Sequence, residues 1–355
     1  MMNSRPTASN KLVSIFCAVA IFALVVPCFL AVSGCRQKFS TEFDTVVVHD
    51  HDTTNICACN WTVSSTGTSE TIIALSAPDS NNLFVCGSSG LVQRSTNGGA
   101  SWTTMTAPTS ATLYACFFNT PLDGWVAGGD GNNSDTHAYH TTDGGASWQA
   151  INVDANYWVR RMYFPNPMKG YFALSVSEQS GEIMETQDGG ATFTKRYTSN
   201  AGLYGLAFTD ANNGVCTGRD GTGLWTSDGG TTWTRSTTTM IDDLADDAAF
   251  VPNNPMLGFA ANYTDASTGA VSRTTDGGHT WSTATQVNFG VYPVAVNNRV
   301  VVAGGDNGNV LVSTDLGTTW ASSVIGRQKM YSAKFVNSSK CVVVGVNGFF
   351  ATNRY

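Results

Sequence analysis

Charge is what this sequence has least of. Asp, Glu, Lys and Arg make up 13% of its 355 residues, about half the share usual in globular domains. Basic residues are the scarcer kind, with 19 Lys and Arg against 26 Asp and Glu and a formal net charge of -7. Nucleic-acid binding needs a concentrated basic surface and is not expected here. Beyond the first 35 residues no segment is apolar enough to span a bilayer. The sequence has no G-x-S-x-G, no H-E-x-x-H and no phosphate-binding loop. His137 and His140 are three apart in an expected loop or strand, which puts them on opposite faces. No nucleophile–base arrangement stands out, no catalytic residue is assigned, and no cofactor or metal is expected. What the chain does have is glycine, 36 residues of it, among abundant Thr, Ser and Asn. That balance suits an all-β protein with many tight turns and argues against a helical bundle.

Arg5 and Lys11 precede an apolar run from Leu12 to Val32, followed by Ser33, Gly34 and Cys35. The pattern reads as an export signal outside the fold. Its end, Ala31-Val32-Ser33-Gly34-Cys35, resembles the lipobox of bacterial lipoproteins, which implies cleavage before Cys35 and lipid on its sulfur. The alternative is an uncleaved helical anchor, since the run is long enough to span a bilayer. Either way the remaining chain lies outside the cytoplasm, and acyl chains would hold it at about 0.8 kcal/mol per buried CH₂. Arg36 after the cysteine, rather than Asp, implies the outer membrane in a Gram-negative envelope. The expected organisation is a signal peptide over 1–34, a lipidated Cys35 with a polar tether over 35–59, and a folded domain over 60–355.

One octapeptide recurs six times: STNGGASW from Ser95, TTDGGASW from Thr141, TQDGGATF from Thr186, TSDGGTTW from Thr226, TTDGGHTW from Thr274 and STDLGTTW from Ser313. The intervals of 46, 45, 40, 48 and 39 residues are those of propeller blades. The chemistry is that of a hairpin turn. The carboxylate or amide oxygen of Asn97, Asp143, Asp188, Asp228, Asp276 or Asp315 is expected to accept from backbone N–H two residues on. The glycines permit positive φ where the chain reverses. The ring of Trp102, Trp148, Phe193, Trp233, Trp281 or Trp320 then anchors the returning strand. All these positions read as structural. In the last box Leu316 replaces the first glycine, so that turn is expected to differ locally or to be strained.

Between boxes, each unit holds an apolar strand such as TLYACFF from Thr112, a second such as GWVAGG from Gly124, and a third leading into the next box. With the strand after the tryptophan, that makes a four-stranded blade. The chain ends on Gly348 to Tyr355, a strand leading into a box and cut short. Asn60-Trp61-Thr62-Val63 supplies a box-like tryptophan and outer strand with no box before it. The prediction is a seven-bladed β-propeller whose N-terminal strand completes the C-terminal blade, which removes the open sheet edges a linear array would expose.

These octapeptides resemble the Asp box, or BNR repeat. A single seven-bladed ring with boxes in nearly every blade looks most like the Ycf48-like group of photosystem II assembly factors. That resemblance implies a non-enzymatic binding and assembly protein with a protein or glycan partner. No basic patch like that of the photosynthetic members is visible, so a photosystem role is not expected. Asp boxes also occur in glycan-active enzymes, sialidases and xyloglucan-active hydrolases among them, and these give the alternative reading. Against it, the Arg-Ile-Pro motif of sialidases is absent, the second propeller of the xyloglucan enzymes is absent, and glutamates are few: Glu42, Glu70, Glu178, Glu182 and Glu185.

Aligned first strands share a position four residues before an apolar one. Tyr114, Arg160, Tyr204, Asp246, Tyr292 and Tyr331 occupy it, with Phe118, Phe164, Phe208, Phe250, Val296 and Phe335 as mates. Residues i and i+4 of a strand share a face, so one reading is packing between blades. The sharper reading is a ring around one mouth of the central channel, with Trp158 and Arg161 beside it, able to hold a peptide or glycan. The runs Asp242 to Asp247 and Asp130 to Asp135 read as solvated loops rather than Ca²⁺ sites. His49, His51, Cys57 and Cys59 match no standard zinc spacing and read as linker followed by a disulfide. Cys57 or Cys59 pairing with Cys341 would staple the closing blade, while Cys86, Cys116 and Cys216 sit in apolar strands as buried thiols.

Overall fold

The computed structural model describes residues 46–47, 60–129, 138–153, 158–238, 244–265 and 267–355. Their strands form seven antiparallel sheets arranged as a propeller. Each blade is a meander of four strands, and the first strand of each is innermost. These innermost strands are Ile72–Ser76, Leu113–Phe118, Trp158–Tyr163, Leu203–Phe208, Leu244–Phe250, Val291–Val296 and Met330–Phe335, for blades 1 to 7. Each neighbours the next around a circuit that closes from blade 7 to blade 1.

Closure is made as the sequence predicts. Thr62–Ser65 pairs antiparallel with Phe349–Arg354, with Thr62 opposite Thr352 and Ser65 opposite Phe349. Trp61 is 1% exposed among Val343, Phe349 and Ala351, so it fills the place of a box tryptophan. Two short strands extend the sheets. Thr237–Thr238 runs parallel to the outer strand of blade 5. Val46–Val47 pairs with Val63 and Thr62, so part of the stretch read from sequence as tether is strand. The proposed signal peptide, Cys35, His49, His51, Cys57 and Cys59 lie outside the described residues, as do Asp130 to Asp135, His137 and Asp242-Asp243.

The core is a series of layers between blades rather than one central mass. Between blades 1 and 2, Phe84 and Cys86 meet Leu113, Phe118 and Val126, and the Phe84 and Phe118 rings stack at 3.6 Å. Between blades 3 and 4, Tyr171 and Ile183 meet Leu203, Leu206 and Trp233. Blades repeat because each sheet has two apolar faces and only another blade can cover them.

Every box is the turn between the third and fourth strand of its blade. In the second box Thr141 Oγ1 donates to Asp143 Oδ1 at 2.8 Å and accepts from Gly145 N at 2.8 Å. Asp143 Oδ1 accepts from Ser147 N at 2.9 Å, and Oδ2 accepts from Ser147 Oγ at 2.6 Å. The carboxylate thus reaches the N–H four residues on, not two as the sequence reading expected. The hydroxyl two residues before it serves the tight part of the turn. The same bonds recur at Asp188, Asp228, Asp276 and Asp315. Asn97 reproduces them with its amide donating to Ser101 Oγ at 2.8 Å. Leu316 does not change the turn. It adopts φ 54°, close to the first glycine of the other boxes, so the strain is stored in a side-chain-bearing residue.

The second box glycine has a further role. A Cβ on Gly190 would lie 2.4 Å from the Trp125 ring of the preceding blade, and one on Gly99 would lie 2.2 Å from Phe350. In four boxes the turn therefore lies directly on an aromatic ring of the blade before it, while Gly145 faces Met105 and Gly278 faces Val215.

Candidate functional site at the channel mouth

In all seven innermost strands the register slips by one residue or more near the start: Ile72/Ala74, Leu113/Ala115, Val159/Arg161, Leu203/Gly205, Ala245/Asp247, Val291/Val294 and Met330/Ser332. The residues skipped are Ile73, Tyr114, Arg160, Tyr204, Asp246, Tyr292 with Pro293, and Tyr331. Each is the extra residue of a β-bulge, a device that re-aims a side chain. This corrects the i, i+4 pairing read from sequence. With the bulge inserted, Leu113 and Phe118, five apart, share the face toward blade 1, and Tyr114 is released from the alternation. Leu203 and Phe208 do the same in blade 4.

The released side chains meet in a cavity of about 600 Å³. Of the residues read from sequence, Tyr114, Trp158, Arg160, Arg161, Tyr204, Asp246 and Tyr331 line it. Tyr292 does not. Pro293 follows it and has no N–H for the ladder, and the Tyr292 hydroxyl turns to donate to Asp306 Oδ2 at 2.8 Å. Six blades contribute to the lining. Thr71, Ile73, Ser177, Glu178, Gln179, Arg219 and Tyr263 complete it. Ile73 could have been found by extending the strand alignment to blade 1. Glu178, Gln179 and Arg219 come from loops between second and third strands, which carry no repeat to align.

Arg160 is the centre of the site. Its guanidinium carbon sits 4.4 Å from the Tyr114 ring centroid, 4.6 Å from Trp158 and 4.9 Å from Tyr204. Three ring faces thus hold the cation, and among the described residues no carboxylate pairs with it. Its Nε is buried without a hydrogen-bond partner. Arg161 points across the ring: NH2 lies 3.4 Å from the Asp246 carbonyl and Nε 3.6 Å from Asp247 Oδ1. It ties blade 3 to blade 5 and also bonds the Tyr114 carbonyl at 3.5 Å.

A second caged cation stands beside the first. Lys329 Nζ is 3.6 Å from the Tyr292 centroid and 5.2 Å from Tyr331, with Asp306 Oδ1 at 3.6 Å. Burial lowers its pKa, opposed by Asp306 and Asp246. Burial raises the Tyr263, Tyr292 and Tyr331 hydroxyls, so these rings stay neutral. Burial also raises the Asp246 carboxyl, against the pull of Arg161, Arg160 and Lys329. The Asp246 carboxylate makes no hydrogen bond or ion pair among the described residues. Among the described residues the mouth therefore offers one guanidinium and one carboxylate outside any ion pair, set among aromatic rings.

Other acids, Glu178 of the lining included, already have partners. Glu178 bonds Arg219 at 2.9 Å, and Glu182 bonds Lys195 at 2.6 Å. Glu185, 1% exposed, takes Arg196 at 2.5 Å and Lys169 at 3.4 Å. Glu70 accepts from Ser88 and Ser89. This arrangement lends the glycan-hydrolase alternative no support. Cys341, suggested as a disulfide partner, is fully buried and has no disulfide partner among the described residues, which do not include Cys57 or Cys59.

Residues 140–295 match the family model described as photosynthesis system II assembly factor YCF48. No curated protein matches the sequence. Among solved structures, a YCF48 bound to D1 peptide is similar at 18% identity with a TM-score of 0.66, over 83% of this chain and 95% of that one. YCF48 from Cyanidioschyzon merolae is similar at 18% identity and TM-score 0.62, over 83% and 98%. The WD40 propeller domain of Doa1 is similar at 12% identity and TM-score 0.62, over 81% and 94%. At these identities the structural likeness speaks to the fold. Together with the family match it supports a Ycf48-like β-propeller.

Proposed function

We propose that this chain is a non-enzymatic binding and assembly propeller, held at the cell envelope by lipid on Cys35, that takes up a segment of a partner protein at the channel mouth. The observation that carries the reading is Arg160, caged by three aromatic rings with no carboxylate paired to it among the described residues. Tyr, Trp and Arg in a concave, desolvated setting are the residue types on which interface energy concentrates, and the cavity size is that of a pocket for a short segment. A Ycf48 of the same fold has been solved with a bound peptide, which supports a peptide as the kind of ligand.

The ring cage fixes the guanidinium plane before a ligand arrives, so little side-chain entropy is lost on binding. Asp246 provides the opposite charge in the same cavity. A segment carrying both an acidic and a basic or amino group would match both.

Selection of a peptide library on the folded chain, counter-selected on Arg160→Ala, tests this. Convergent peptides that the variant releases support the reading. No enrichment, or enrichment of glycan-mimicking ligands with equal retention by the variant, contradicts it. The anchor has its own test. Cys35→Ser expressed in a bacterial host should move the protein from the detergent phase to the aqueous phase and abolish metabolic labelling by palmitate. Unchanged membrane retention would indicate an uncleaved helical anchor.

A further inference from the structure

Cys86 lies on the second strand of blade 1, Leu83–Gly87, and Cys116 on the innermost strand of blade 2. Cys86 Sγ is 3.4 Å from the carbonyl oxygen of Ala115 and 3.6 Å from that of Leu113. These residues flank Tyr114, the bulge residue of the mouth. Cys116 Sγ in turn lies 3.8 Å from the carbonyl oxygen of Phe84. Each thiol sits against the backbone of the other's strand, and both side chains pack into the one layer between blades 1 and 2. The remaining described cysteines differ. Cys216 and Cys341 contact the carbonyls of Thr217 and Val342, next to them in their own strands.

We propose that Cys86 and Cys116 form a reversible disulfide that ties blade 1 to blade 2 beneath Tyr114. Cys86 is 0% exposed, whereas Cys116 is only partly buried, so Cys116 is the sulfur that meets an oxidant. As thiolate it attacks a small-molecule disulfide such as oxidised glutathione, forming a mixed disulfide and expelling one glutathione thiolate. Cys86 then gives up its proton and attacks the Cys116 sulfur, expelling the second. Two protein thiols are oxidised to one disulfide, one glutathione disulfide is reduced to two thiols, and the two protons pass to the leaving thiolates. The bond closes a loop that crosses a blade interface and fixes the strand whose bulge presents Tyr114. The inference does not depend on what the mouth binds.

The test is peptide mapping of the folded full chain after equilibration over a range of reduced-to-oxidised glutathione ratios, with acid quenching and alkylation. The expected result is a linked Cys86–Cys116 peptide that accumulates toward the oxidised end and disappears with dithiothreitol. The melting temperature should rise by about 5 °C alongside it. Cys116→Ala should lose both the linkage and the rise, and Cys86→Ala serves the same purpose if that variant does not fold. Free thiols or glutathione adducts at both positions of the folded, fully oxidised wild type would overturn the proposal. A linked peptide accompanied by a lower melting temperature would overturn the claim that it staples the blades.

Discussion

At the residue scale, the Asp box is a self-contained device whose bonds span at most four residues. This locality is why its role could be read from sequence. The hydroxyl and N–H bonds of Ser147 hold the Asp143 pKa down at about 2, and those of Thr319 hold Asp315 at about 2. Asp188 and Asp228 are lowered by Thr192 and Thr232. In Asp276 burial pulls upward, but the Thr280 bonds outweigh it. An aspartate whose folded pKa lies below the unfolded value, about 3.9, contributes stability above that value and loses it as pH falls through the folded one. Melting temperature should therefore drop between about pH 4 and pH 2, and Asp143→Asn should make the drop shallower. Asn97 shows that an amide can fill the position. Thermal denaturation across that range measures it, and an unchanged profile in the variant would show that the box carboxylates carry no acid sensitivity.

Glycine gives a second contrast at this scale. Gly190 and Gly67 both have positive φ, 88° and 84°. A Cβ on Gly190 meets the Trp125 ring, whereas one on Gly67 meets nothing within 4 Å. Gly67→Ala should cost about 1 kcal/mol, the backbone strain alone. Gly190→Ala should cost about 2–4 kcal/mol, as overpacking adds to that strain. Urea denaturation of the two variants separates the effects. The contact with Trp125 was not visible in the sequence, because it joins residues of different blades.

At the element scale, the closing strand and the bulges show what sequence does and does not carry. Trp61 and its strand could be assigned because a box-like outer strand lacked a box and a box-leading strand lacked a successor. The assignment needed only counting. Trp61→Ala should cost about 3–5 kcal/mol, as expected for a fully buried aromatic. Hydrogen exchange should show the loss concentrated along Phe349–Arg354, its paired strand. Protection lost evenly around the ring would mean that the strand is not a local clasp. The bulges could not be assigned. One extra residue in a six-residue strand leaves an i, i+4 pattern that looks regular on paper. Only the partner register shows that Leu113 and Phe118 share a face. The positions chosen for a mouth were nevertheless brought together because the bulge recurs at the same place in every blade. Tyr292 departs where Pro293 widens the slip.

At the scale of the whole molecule, seven inter-blade layers hold a ring whose innermost strands all release a side chain at one end. The result is a cavity that belongs to no single blade. Arg160 comes from blade 3, Tyr114 from blade 2, Tyr204 from blade 4 and Asp246 from blade 5. Arg161 joins blades 3 and 5 across it. Residues from the repeat could be placed there from the sequence. Glu178, Gln179 and Arg219 could not, since second-to-third-strand loops differ from blade to blade, and neither could Tyr263, which lies on the long second strand of blade 5. Such a site gives up affinity when its anchor is removed but does not unfold, because the blade layers lie elsewhere.

The most direct measurement of the central claim is the affinity of a library-selected peptide for wild type, Arg160→Ala and the exposed control Arg235→Ala, by calorimetry on proteins of matched melting temperature. The account predicts at least a tenfold loss for Arg160→Ala, about 1.4 kcal/mol or more, and no change for Arg235→Ala. Equal affinity in all three proteins would contradict a ligand site at the channel mouth.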